Sequence, residues 1–161
     1  MINIEKLENK LGEIRYNKLG TPMKIIRFVN CADITIEFQD DHKYQFNTNY
    51  QNFKKGQVKN PYDKSVFGYG YLGEGKHVTR FKSKKKNPYY NIWISMIERC
   101  CCEDKRDKHP AYEGCSICDE CMCYQTFADW CDENYYDIKT ERMHIDKDIL
   151  VNGNKLYSPT T

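Results

Sequence analysis

The stretch HIDKDILVNGNKLYSPTT, residues 144–161, sets His144, Asp146, Asp148 and Asn154 close together. A histidine can take a proton from water, carboxylates can hold a divalent ion, and an asparagine can fix a turn. These are the parts of metal-dependent phosphodiester hydrolysis. A second cluster, CSICDECMC, places Cys115, Cys118, Cys121 and Cys123 within nine residues. Four soft ligands suggest zinc or an iron–sulfur cluster, but the spacing fits neither. Zinc usually takes two ligand pairs from either side of a loop, and the ferredoxin run needs a longer third gap and a proline. On a helix beginning near Cys118, Cys121 faces inward and Cys123 is turned about 200° away. Packing as small hydrophobes is the expectation for these residues and for Cys100 and Cys131. His109, Cys115, Cys118 and Cys121 are the best zinc set if there is one.

Two surfaces suggest partners. Residues 54–86 carry ten Lys/Arg against two acids, a local charge of +8, although the net charge of the chain is only +2. Lys84, Lys85 and Lys86 lie near Tyr69, Tyr71 and Phe81, which gives cations for phosphates and rings for base stacking. A solvated linker would explain the same residues. Residues 103–148 carry thirteen acids against six Lys/Arg, a local charge of −7. There Asp132, Glu133, Asp137 and Glu141 mix with Tyr135 and Tyr136 as a protein-binding surface would. The glycines of VFGYGYLGEG match neither phosphate-loop spacing, so turns are expected.

The elements that must position these groups follow from periodicity. Residues 3–16 read as a short charged helix or arm, with Ile4, Leu7, Leu11 and Ile14 on one face. MKIIRFVN, DITIEFQD and KYQFNT then read as about three antiparallel strands. Ile34, Ile36 and Phe38 share one side, and Asp40-Asp41-His42 is the hairpin turn. YQNFKKGQVKNP closes the unit as a turn or short helix. Pro88 opens a helix that buries Ile92, Trp93, Met96, Ile97 and Cys100. A polar loop runs through His109-Pro110, and a second helix spans roughly 118–133, burying Cys121, Tyr124, Phe127, Ala128 and Cys131. From about Met143 the chain reads as strand, turn at Asn152-Gly153, strand. The fold class is α+β, with residues 1–65 a small β-sheet module, 66–88 a linker, and 89–161 two helices with a terminal β-hairpin.

The composition, 40% hydrophobic and 14% aromatic, is globular rather than disordered. MINIEKLENKLGEIR alternates charges without an apolar core, so it is no secretory signal, and no apolar run could span a bilayer. A cytoplasmic protein without membrane contact is expected. Its nine cysteines, an odd number, are expected to be reduced thiols.

YNIWISMIERC, PAYEGCSICDECMCYQTFADWCDENY and HIDKDILVNGNKLYSP together resemble the phage-encoded HNH-type endonucleases often grouped with AP2-like DNA-binding modules. The likeness runs over residues 89–159, through Trp93, Met96, Arg99, Cys100, Tyr112, Gly114, Cys118, Phe127, Trp130, Asp146-Lys147-Asp148 and Gly153-Asn154 to Tyr157-Ser158-Pro159. ITIEF and YQNFKKGQV resemble the small sheet modules that accompany those nucleases. The resemblance implies a strand–turn–strand–helix metal site, with His144 or Asp146 near the general base, Asp146 or Asp148 as acid, and Asn154 in the turn. Met143 stands where the family places its ligand acid. Relatives continue past YSP into a metal-binding helix, whereas only Thr160 and Thr161 follow here. The expectation is an incomplete HNH unit without catalysis and without a cofactor. The chain also looks similar to type II anti-CRISPR proteins. That likeness implies a Cas9–guide RNA complex as partner, bound at a nuclease domain through the acidic surface. A metal-dependent endonuclease and a non-catalytic DNA-binding protein are the alternatives.

Overall fold

The structure, a computed structural model, describes residues 10–108, 110–134 and 153–159. The fold is α+β and divides into two units, Met1–Asp63 and Lys64–Thr161.

The first unit is a four-stranded antiparallel meander: β1 (Ile14–Tyr16), β2 (Pro22–Asn30), β3 (Asp33–Phe38) and β4 (Gln45–Thr48) in sequence order. The short charged helix or arm expected over residues 3–16 is corrected at its end, where Ile14–Tyr16 form a strand; residues 3–9 of that expectation lie outside the described residues. The three residues of β1 pair with Pro22–Lys24. A backbone that gains ladder hydrogen bonds from an adjacent strand outweighs a short amphipathic pattern. β3 alternates as its sequence demands, with Ile34, Ile36 and Phe38 fully buried. They pack with Met23 and Ile25 of β2, Val58, and Phe53 from the short helix α1 (Tyr50–Lys54). The β3–β4 turn is closed by Asp40, whose Oδ1 accepts from the backbone N–H groups of His42 and Lys43. Asn17, Asn60 and Asp63 are buried but satisfied. Asn17 Nδ2 donates to Asp63 Oδ2 at 2.6 Å, Thr21 Oγ1 donates to Asp63 Oδ1, and Asn60 Nδ2 donates to Asp40 Oδ2.

The chain leaves α1 through Gly56, whose φ is +64°. A Cβ added there would meet the Tyr16 carbonyl oxygen at 2.6 Å. Gly56→Ala is therefore expected to destabilise the first unit by about 1–3 kcal/mol, as chemical denaturation would measure. A neutral substitution would mean that the backbone at Gly56 can move away from the Tyr16 carbonyl at no cost.

The second unit is built on α2 (Pro88–Cys101). Asn87 caps its start by accepting from the Tyr89 N–H at 3.0 Å, and Pro88 follows at the first helical position. Trp93, Met96, Ile97 and Cys100 are buried as the periodicity predicts. Residues 103–108, read from sequence as loop, form α3 (Glu103–Lys108), with acids in its first turn favoured by the helix dipole. The expected second helix is broken in two, α4 (Asp119–Met122) and α5 (Tyr124–Asn134). The break falls at Cys123, which is extended because it bridges in parallel to Tyr71. Cys121, Tyr124, Phe127, Ala128 and Cys131 are all buried. β5 (Ser116–Ile117) pairs in parallel with β6 (Leu156–Tyr157). β6 falls where the second arm of the expected terminal hairpin was placed, but the pairing observed for it is parallel, with β5; residues 143–152, which would hold the first arm, lie outside the described residues.

Residues 66–88, expected to be a linker, are part of the second unit. The Tyr71 N–H donates to the Met122 carbonyl at 3.1 Å, and the Tyr124 N–H donates back to Tyr71 at 2.9 Å. The glycines make this strap possible. A Cβ on Gly70 would collide with Trp93 and Ile97, and one on Gly75 with Gln125. Composition alone made the segment look flexible, but its glycines serve close approach.

Candidate functional site

The strap ends in a tight basic loop. Arg80 and Lys86 form an antiparallel bridge, the Phe81 N–H donates to the Lys85 carbonyl at 2.9 Å, and Lys84 turns the corner with φ +63°. Arg80 Nη1 donates to the Lys84 carbonyl at 3.3 Å, and Asn87 anchors the loop by donating to the Val78 carbonyl at 3.1 Å. Because Asn87 also caps α2, the loop is fixed to the start of that helix. Arg80, Lys82, Lys84, Lys85 and Lys86 are all exposed, and Phe81 is 46% exposed beside them. Among the described residues, no carboxylate pairs with any of the five cations.

Of the residues expected to meet nucleic acid, Lys84, Lys85 and Lys86 stand on this loop. Tyr69 is exposed on a separate turn, earlier in the strap, that Val66 and Gly70 close, and Phe67 on the same turn is exposed as well. Tyr71 does not join them. It is half-buried against Cys123, and burial pushes its hydroxyl pKa up.

A second group lies at the foot of the loop. Asp129 and Asp132, three residues apart on α5, share a helix face. His77 reaches them from the strap, with Nε2 at 3.0 Å from Asp129 Oδ1 and 3.6 Å from Asp132 Oδ2. Lys76 Nζ completes the group at 2.9 Å from Asp132 and 3.5 Å from Asp129. The hydrogen bond from His77 holds the Asp129 carboxyl below its ordinary range, and the one with Asp132 holds the Lys76 ammonium above its own. His77 is positioned by Gln125, which accepts from its N–H at 2.9 Å and donates to its carbonyl at 2.8 Å. Lys76, His77, Asp132, Phe81, Asn87 and Tyr89 line a cavity of about 700 Å3. Three of these four charged or titratable groups were not singled out from sequence. The available signal was the i, i+3 pair of acids on a helix, and nothing local linked it to His77.

Asp132, expected to bind a partner, thus engages Lys76, while Glu133 is exposed. Tyr135, Tyr136, Asp137 and Glu141 lie outside the described residues, as do His144, Asp146 and Asp148. Asn154 is described, and its side chain bonds to the backbone of Leu156. Its Nδ2 donates to the Leu156 carbonyl at 2.9 Å and its Oδ1 accepts from the Leu156 N–H at 3.1 Å, which shapes the entry to β6.

Cys115 and Cys121 are buried in the core, and Cys118 is half-buried at the start of α4. They do not bring three ligand atoms together, and His109 lies outside the described residues. Burial drives the Cys121 thiol pKa upward, which favours a neutral packed group. No family model, curated protein or solved structure matches the chain.

Proposed function

We propose that this chain binds nucleic acid through the loop of residues 79–87 without chemistry of its own there, as a DNA-associated module of the HNH-type resemblance. The observation that carries the reading is the concentration of Arg80, Lys82, Lys84, Lys85 and Lys86 around exposed Phe81 on a braced turn. Cations that no carboxylate among the described residues engages, held on a fixed backbone, can each displace a counterion from a phosphate at little ordering cost. Phe81, exposed among these cations, offers a ring face to unstacked bases.

The test is DNA affinity, for duplex and single strand, as a function of salt. Changing Lys82, Lys84, Lys85 and Lys86 together to glutamine is expected to reduce the slope of log K against log salt by about 3. Phe81→Ala is expected to weaken single-strand binding more than duplex binding. A salt slope that is the same in the fourfold variant would remove the proposal.

A second reading, an anti-CRISPR protein that blocks Cas9–guide RNA by direct binding, is favoured by the opposite charge of α4 and α5. Asp119, Glu120, Asp129 and Glu133 are exposed there. Exposed acids of this kind suit the basic channel of a nucleic-acid-guided nuclease. Cas9 cleaving at its normal rate in an excess of this chain would eliminate that reading.

A further inference from the structure

We propose that His77, Asp129 and Asp132 form a divalent-metal site of the zinc type, for which the Lys76 ammonium is a built-in competitor. The inference does not depend on nucleic-acid binding.

Geometry is the first argument. Around a tetrahedral zinc ion with Zn–N and Zn–O bonds of about 2.0–2.2 Å, neighbouring ligand atoms are about 3.3 Å apart. The His77 Nε2 distances of 3.0 Å to Asp129 and 3.6 Å to Asp132 bracket that value, and all three ligand atoms fall within 4.8 Å of one another. The carboxylates are exposed and can close the remaining gap by rotation.

Preorganisation is the second argument. The His77 side chain is only 9% exposed yet is aimed at the carboxylates. Its backbone is clamped on both sides by Gln125, which is itself buried. Placing an imidazole in this way costs the strap a close approach at Gly75 that admits no side chain. An imidazole serving only as an incidental surface partner does not need such fixing. Held so, it is a ready nitrogen ligand once unprotonated.

Charge is the third. Two carboxylates with a neutral imidazole attract a dication, and Lys76 Nζ, at 2.9 and 3.5 Å from them, now satisfies the same carboxylates that an ion would bind. Lys76 is 68% exposed and can swing into water. An ion with three protein ligands keeps open positions for water or a ligand donor. The cavity lined by Phe81 and Tyr89 provides room for them.

Cobalt(II), added alone to the reduced protein, reports the ligand type directly. The expected result is one ion per chain with a d–d spectrum and no thiolate-to-cobalt charge-transfer band, since none of the cysteines takes part. Asp132→Asn should weaken binding at least 10-fold. Lys76→Gln, a change at an exposed residue that leaves the fold intact, should tighten it several-fold. His77→Ala should abolish it, with circular dichroism confirming that the unit is folded. No binding, a thiolate band as the main signal, or an affinity that Lys76→Gln leaves unchanged would each overturn the proposal.

Discussion

Trp93→Ala is expected to cost the second unit about 3–5 kcal/mol. The indole is fully buried and packs 5.4 Å from the ring of Tyr124 and 5.8 Å from that of Tyr90. Its Nε1 donates to the Cys121 carbonyl at 2.8 Å, which ties α2 to α4. The strap also lies against it, since a Cβ on Gly70 would strike the indole. Alanine would leave a large cavity under the strap and an unmatched carbonyl in the core. Trp93→Phe separates the two losses. It keeps most of the packing and should cost mainly the orphaned carbonyl, about 1–3 kcal/mol. Denaturation followed by Trp130 fluorescence measures both variants in the same unit. A loss below about 1 kcal/mol for Trp93→Ala would mean that the indole is not the keystone of this core.

The second unit should also lose stability steeply in alkali. Burial, reinforced by the Asp132 charge, pushes the Cys131 thiol pKa up to about 12, and burial likewise pushes the Tyr124 hydroxyl to about 12. Cys121 is driven upward by burial and then by its hydrogen bond with Cys118. In the unfolded chain a thiol ionises near pH ~8.5. The folded values are raised, so the stabilisation is fully present below about pH 8.5 and is lost as the pH climbs towards about 12. Across that window each such thiol removes up to about 1.4 kcal/mol per pH unit, because the unfolded state sheds a proton that the native state keeps. Denaturation under reducing conditions at neutral pH and near pH ~10 tests this. Cys131→Ala should be less stable at neutral pH, from lost packing, yet decline less steeply in alkali. An equal alkaline slope in the variant would show that the thiol is not protected by the fold.

No helix among the described residues is long and apolar enough to cross a membrane.

Much of the fold was legible because its determinants are local. The alternation of Ile34, Ile36 and Phe38 and the helical spacing of Trp93, Met96, Ile97 and Cys100 each fix which face is buried. Pro88 marked the start of α2, and the Asp40 turn marked the hairpin. The cation loop was visible too, since Lys84, Lys85 and Lys86 are neighbours in the chain.

Tertiary structure decided what depends on distant pairing. β1 exists because β2 offers it a ladder, and α5 begins at Tyr124 because Tyr71 draws Cys123 into a bridge. The sequence made 66–88 look like a linker, and only the close approach of Gly70 and Gly75 to Trp93, Ile97 and Gln125 made it a strap. His77 meets Asp129 across 52 residues, so no spacing rule could have joined them. Side-chain periodicity is written along the chain and can be read there. Convergence of ligands is set by how the strap folds back onto α5, and that geometry has no counterpart in local sequence.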